Sequence, residues 1–162
     1  MKLLFRKKPH YQLMCVRRDG TTSVAKVGTH VAYHDLAHLV VELKGRFQNG
    51  FFGLAEQGYA LESLSEPSVI KNLGRESLVI EVLVRGLGAM LMGACAPNEY
   101  ESLVREELGE LYDEVELNLT EQLAREWLSA YEVLIAKWES LGETETLLIE
   151  FNPTCIETSV LS

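Results

Sequence analysis

The chain lacks most of the features that would classify it at a glance. Its three cysteines, Cys15, Cys95 and Cys155, are odd in number, far apart and in no Cys-x-x-Cys pair. That argues against a zinc ribbon or a disulfide framework and leaves buried thiols in a reducing compartment. No uncharged apolar run reaches the roughly 20 residues a bilayer requires, because Glu81 and Arg85 interrupt the otherwise apolar segment 76–96. There is no Gly-x-x-x-x-Gly-Lys-Ser/Thr phosphate loop, and Gly86-Leu87-Gly88 sits in a helical segment instead of following a strand, which disfavours a dinucleotide fingerprint. The stretch Met1–Lys8 has too short an apolar run for a signal peptide, so the expected location is the cytoplasm, with no membrane partner. Histidine is absent after position 38.

What is present begins with an uneven charge distribution. Residues 1–50 hold nine Lys and Arg against three acids, a balance of +6, while the other 112 residues carry −15. Such halves complement each other within one fold, or favour association of two copies, which makes a homodimer a candidate assembly. Nucleic-acid binding by Arg6, Lys7, Lys8, Arg17 and Arg18 is disfavoured by the acidic remainder and by the absence of an accompanying motif.

At 162 residues and 47% hydrophobic content, the chain can bury about two thirds of its unfolded surface without a staple. The expectation is a single α+β domain over 1–162, strand-rich over 1–30, mainly helical over 34–141, with a strand in 144–151 and a loose tail over 153–162. Tyr11–Arg18 and Thr21–Val27 flank Asp19-Gly20, a tight-turn pair, and Leu3–Arg6 adds a further strand. A small antiparallel sheet of these strands, packed on about four helices, is the predicted architecture. Leu36, Leu39, Val40 and Leu43 recur at helical spacing from His34 until Gly45. Gly50-Phe51-Phe52-Gly53 predicts a tight loop or a short segment pinned by its rings. Asn98 with Glu101 has capping-box spacing before an apolar face from Tyr100 to Val115. A second amphipathic stripe, from Leu123 to Leu141, completes a C-terminal helical hairpin.

The segment that looks most like chemistry is His34-Asp35-Leu36-Ala37-His38-Leu39-Val40-Val41-Glu42. Two imidazoles four residues apart share a helix face at about 6 Å, a spacing that suits one metal ion or one ligand. The nearest motif is His-Glu-x-x-His, whose glutamate serves the metal-bound water. Here the middle acid is Asp35, about 1.5 Å shorter in reach, which fits protease chemistry poorly. Glu42 lies about 12 Å along the axis from His34, too far to share its ion, and pairs more simply with Arg46. A third ligand must come from His30, His10 or a carboxylate folded in from elsewhere. The plainer reading gives Asp35 to the helix dipole and His38 to the core as a hydrogen-bonded ring. A phosphohydrolase of the His-Asp type would need histidines on later helices, which this chain does not have. Cys15, near Arg17 and Arg18 on a predicted strand, is a weak nucleophile candidate.

His34-Asp35-x-x-His38-x-Val40-Val41-Glu42 followed by Gly50-Phe51-Phe52-Gly53-Leu54 resembles a small family of bacterial proteins with an HD-x-x-H-x-V-V-E helix and then a GF-W/F-G segment. The likeness covers about the first 60 residues, and this chain has Tyr33 where the family places proline. It implies a shared scaffold and a ligand-binding site at His34, Asp35, His38 and Glu42, and no reaction. Two functions follow from the sequence. The first is a non-catalytic binding or regulatory protein with a protein or small-molecule partner and no cofactor. The second is a metal-dependent hydrolase with a divalent ion such as zinc on His34, His38 and His30.

Overall fold

The computed structural model describes residues 1–7, 10–26, 31–64, 66–70, 72–115, 117–152 and 155–161; among the remainder is His30, which therefore lies outside the described residues. Period-2 alternation at both ends of the chain builds one sheet. Strand β1 (Lys2–Arg6) turns Leu3 and Phe5 inward and Lys2 and Arg6 outward. It pairs antiparallel with β2 (Gln12–Val16) on one side and β4 (Thr146–Asn152) on the other. Strand β3 (Thr22–Lys26) and strand β5 (Cys155–Leu161) form the edges, giving the order β3-β2-β1-β4-β5. The fold is α+β, as the sequence predicts. Between β2 and β3 the chain reverses over Arg17 to Thr21, with Gly20 at a φ of +85° and the Asp19 carboxylate accepting from Thr21.

The inner face of the sheet supports the helices, and one contiguous core joins the two layers. Helix α1 (Val31–Gly45) begins three residues before the expected start at His34 and runs through the middle of the molecule. Ala32, Leu36, Ala37, Leu39, Val40, Val41 and Leu43 are all buried, so this helix has no broad solvent face. It packs against β4, helix α2 (Phe51–Glu56), helix α5 (Arg75–Leu91) and helix α8 (Glu121–Ser140). Helices α3 (Leu61–Leu64) and α4 (Pro67–Ile70) are single turns on the way to α5, and the Leu61 amide is bonded to Ser23 Oγ at the β3 edge.

The C-terminal helical hairpin has a broken first arm. Helix α6 (Tyr100–Leu108) stops at Gly109, whose φ of +56° is outside helical geometry, and α7 (Glu110–Glu114) restarts in a new direction. The arms meet through the rings of Tyr100 and Trp127, 6.3 Å apart. The expected capping box does not form: Glu99 accepts the Ala96 amide, while Glu101 takes the Tyr112 hydroxyl. Thr120 does cap α8, accepting from the Leu123 amide.

A second correction concerns the tail. Residues expected to be loose form β5, paired with β4 from Asn152↔Cys155 to Thr146↔Leu161. The β-branched Ile156, Thr158 and Val160 at alternate positions suit a strand, and the pairing satisfies an edge of β4 that would otherwise expose its backbone groups.

Much of the N-terminal positive charge is used internally. Arg17 donates to the carbonyls of Ala55 and Tyr59, and Arg18 and the N-terminal ammonium both approach Glu56. Lys7 Nζ reaches the Glu139 and Leu141 carbonyls at the end of α8, where cations complement the helix dipole. Cys15 and Cys95 are free buried thiols, and burial pushes the Cys15 pKa up, which suits a core residue better than a nucleophile. No described helix is long and apolar enough to cross a membrane.

Candidate metal centre

A helix buried over most of its surface must find partners for its buried polar residues, since an unpaired one costs on the order of 1–3 kcal/mol. In α1 those residues are Asp35, His38 and Glu42. Each is satisfied differently. Asp35 Oδ2 accepts the Tyr11 hydroxyl at 2.7 Å, away from the histidine pair. Burial pushes its pKa up to about 6, against the pull of Tyr11 and of the charge on His38.

Glu42 does not reach out to Arg46, as expected from spacing, because its side chain is wholly buried. It turns instead toward the start of α2. Its carboxylate accepts the Phe52 amide at 3.1 Å and the Gly53 amide at 3.0 Å, capping that short helix from a neighbouring one. This explains the two glycines around the phenylalanines. A Cβ on Gly50 would lie 2.2 Å from Glu42 Cδ, and one on Gly53 would lie 2.1 Å from the Gln48 carbonyl oxygen. The segment is thus a helix start fitted around a carboxylate, and not a loop.

The same carboxylate holds His38. Glu42 Oε1 is 3.2 Å from His38 Nδ1, which leaves Nε2 facing the opposite way. There it meets His34 Nε2 at 3.2 Å and Glu81 Oε1 at 3.1 Å, with Glu81 Oε2 3.6 Å from His34 Nε2. Glu81 comes from α5, and a carboxylate in that apolar helix is accounted for by this contact. Two ligands bound at about 2.0–2.1 Å to a tetrahedral zinc ion lie about 3.3–3.4 Å apart. The His34–His38 contact is close to that value, Glu81 reaches the two imidazoles through different oxygens, and one ligand atom from each of the three residues lies within 4.8 Å of the other two. A carboxylate behind the outer nitrogen of a ligating histidine is the usual support of such sites, because it fixes ring orientation and tautomer.

Electrostatics and access agree with this arrangement. Burial opposes charge on His38, but the hydrogen bonds and charges of Glu42 and Glu81 outweigh it and push its pKa up to about 10. The cluster therefore presents strong attraction for a cation, which a proton meets in the metal-free protein. Burial and the His38 charge lower the pKa of His34, offset in part by Glu81. Glu81 is lowered: its desolvation is overcome by the hydrogen bond from His38 and by both imidazoles. The His38 side chain is 2% exposed, whereas His34 and Glu81 are 43% and 33% exposed, so the cluster is reached from solvent on their side.

Of the residues singled out in the sequence, the structure brings His34 and His38 to one point and sets Glu42 directly behind it. It places Asp35 on Tyr11 and leaves His10 exposed, outside the cluster. The third candidate ligand is Glu81, the carboxylate from elsewhere that the spacing argument required. Its signal was an acid one turn before Arg85 in an otherwise apolar helix, where charge needs a partner. Compared with protein-family models, with curated proteins and with solved structures, the chain finds no match.

Proposed function

We propose that the protein binds one divalent first-row metal ion, of the zinc class, through His34 Nε2, His38 Nε2 and the Glu81 carboxylate, and uses it as a Lewis acid in hydrolytic chemistry. The observation that carries this reading is the convergence of one ligand atom each from His34, His38 and Glu81 to within 4.8 Å of one another, backed by Glu42 on the far nitrogen of His38. Two imidazoles and one carboxylate leave a position for water or substrate, as in hydrolytic zinc sites, and ferrous iron accepts the same donors. An ion held by His34, His38 and Glu81 would supply Lewis acidity, lowering the pKa of a water molecule toward about 7.

The experiment is metal analysis of full-length protein purified without chelator, followed by titration with zinc and ferrous iron. The His34→Ala and Glu81→Ala variants alter partly exposed side chains and leave the buried His38–Glu42 pair in place. One ion per chain, lost in both variants while tryptophan fluorescence stays native, supports the reading. Absence of stoichiometric uptake by the folded wild-type protein refutes it.

A second reading has its own observation. His38 already makes hydrogen bonds through both nitrogens, to Glu42 and to Glu81. As an imidazolium it ties α1 to α2 and α5 without a metal, in a binding or regulatory protein that performs no catalysis. Failure of metal uptake together with strong destabilisation in His38→Ala favours this alternative.

A further inference from the structure

Beside the histidine pair runs a groove of about 640 Å³ between α1, α5 and α8. His34 is one of its lining residues, so a candidate metal ligand opens directly onto it. From α5 the lining is Val84, Arg85, Gly88 and Leu91, with Met92 just past its end, and from α8 it is Tyr131, Ile135 and Glu139. These positions recur every three to four residues, so the groove runs along both helices. At 1.5 Å per residue, its length is about 10 Å along α5 and about 12 Å along α8.

Two glycines of α5 differ instructively. A Cβ on Gly86 would lie 2.7 Å from the Tyr100 ring, whose hydroxyl donates to the Leu83 carbonyl, so packing explains that glycine. Gly88 has nothing within 4 Å of where its Cβ would be, although glycine weakens a helix interior. Its helix neighbours do not require it. What it provides is an open groove floor. At the rim, Met92 is 82% exposed, an apolar side chain left in water next to an apolar trough.

We propose that this groove holds the chain of a medium-length fatty acyl group, with its carboxylate or ester carbonyl directed to the His34–His38–Glu81 centre. This inference rests on the metal reading above and names the substrate class for that site. Three features select this occupant. The walls are chiefly aliphatic and aromatic. The length matches about eight carbons at about 1.25 Å advance per carbon in an extended chain. At the head end Arg85 lines the groove together with His34, and a divalent ion held by the centre would add positive charge there. The Arg85 ion pair with Glu107 is on the surface, where screening leaves the guanidinium able to turn toward an anion. Glu139 is held by the Tyr33 hydroxyl.

The test is calorimetric titration of zinc-loaded protein with octanoate and with butanoate, in wild type and in Gly88→Leu. Leucine fills the floor and is a better helix former than glycine, so the variant keeps the fold, which zinc stoichiometry and tryptophan emission report. Octanoate is expected to bind at least tenfold more tightly than butanoate, and Gly88→Leu to weaken octanoate at least tenfold while leaving butanoate unchanged. Equal affinity for the two acids, or no effect of Gly88→Leu on octanoate, overturns the proposal even if zinc binds normally. If zinc fails to bind while Gly88→Leu still removes octanoate, the metal reading falls and the acyl groove stands.

Discussion

Glu42 is the residue whose removal tests the architecture of the site most directly. Substitution by alanine leaves the Phe52 and Gly53 amides and His38 Nδ1 without their acceptor, all of them buried. Each unsatisfied amide costs about 1–3 kcal/mol, and breaking a buried ion pair from one side costs about 3–5 kcal/mol. The losses overlap, since water and small shifts relieve several donors at once, so the expected total is about 3–5 kcal/mol and not their sum. Glu42→Gln keeps the shape and one acceptor but turns an NH2 group toward a donor, for which about 1–3 kcal/mol is expected. Urea unfolding followed by tryptophan emission measures both, because Trp127 and Trp138 are 1% and 5% exposed and report loss of the core. The same Glu42→Gln variant should bind zinc about 10–100-fold more weakly, the usual effect of removing a carboxylate behind a histidine ligand. A Glu42→Ala variant destabilised by less than about 1 kcal/mol would show that the carboxylate does not hold α1, α2 and the imidazole together.

Two further outcomes follow from the same geometry. His38 has a pKa of about 10 when folded against about 6.5 when unfolded, so its stabilisation is complete below the lower value and disappears as pH rises through the upper one. Metal-free protein should lose up to about 1.4 kcal/mol per pH unit between pH 7 and 9, and a thermal unfolding midpoint that is flat or rising over that range contradicts the imidazolium assignment. Gly50→Ala should destabilise by about 1–3 kcal/mol, because its Cβ meets a Glu42 side chain pinned by two amides, whereas Gly88→Ala should gain up to about 1 kcal/mol; equal unfolding midpoints for the two variants would refute the cradle.

The strands were legible where local pattern sufficed. Alternation marked β2 and β3 around Asp19-Gly20, and the apolar run at Thr146 marked β4. What the pattern lacked was the pairing: nothing local says that Leu3 lies opposite both Cys15 and Ile149. The tail was misread because its position beyond Pro153 was weighed above the alternation of Ile156, Thr158 and Val160, which is stabilised only once β4 is beside it. In the site, helical spacing correctly brought His34 and His38 together, but it placed Glu42 in solvent beside Arg46. That inference assumed an exposed face, and α1 has almost none. Glu81 could not be located from sequence, because its proximity to His38 is set by the packing of α5 on α1 across more than forty residues.

The position of β1 has a consequence for synthesis on the ribosome. Strand β1 occupies the centre of the sheet, and one of its edges waits for Thr146–Asn152, made about 140 residues later. At elongation rates of about 5–20 residues per second, that edge lacks its partner for about 7–30 seconds. Leu3 and Phe5 must spend that interval against β2 or the emerging helices, so this sheet closes only after the helices between β3 and β4 have been made.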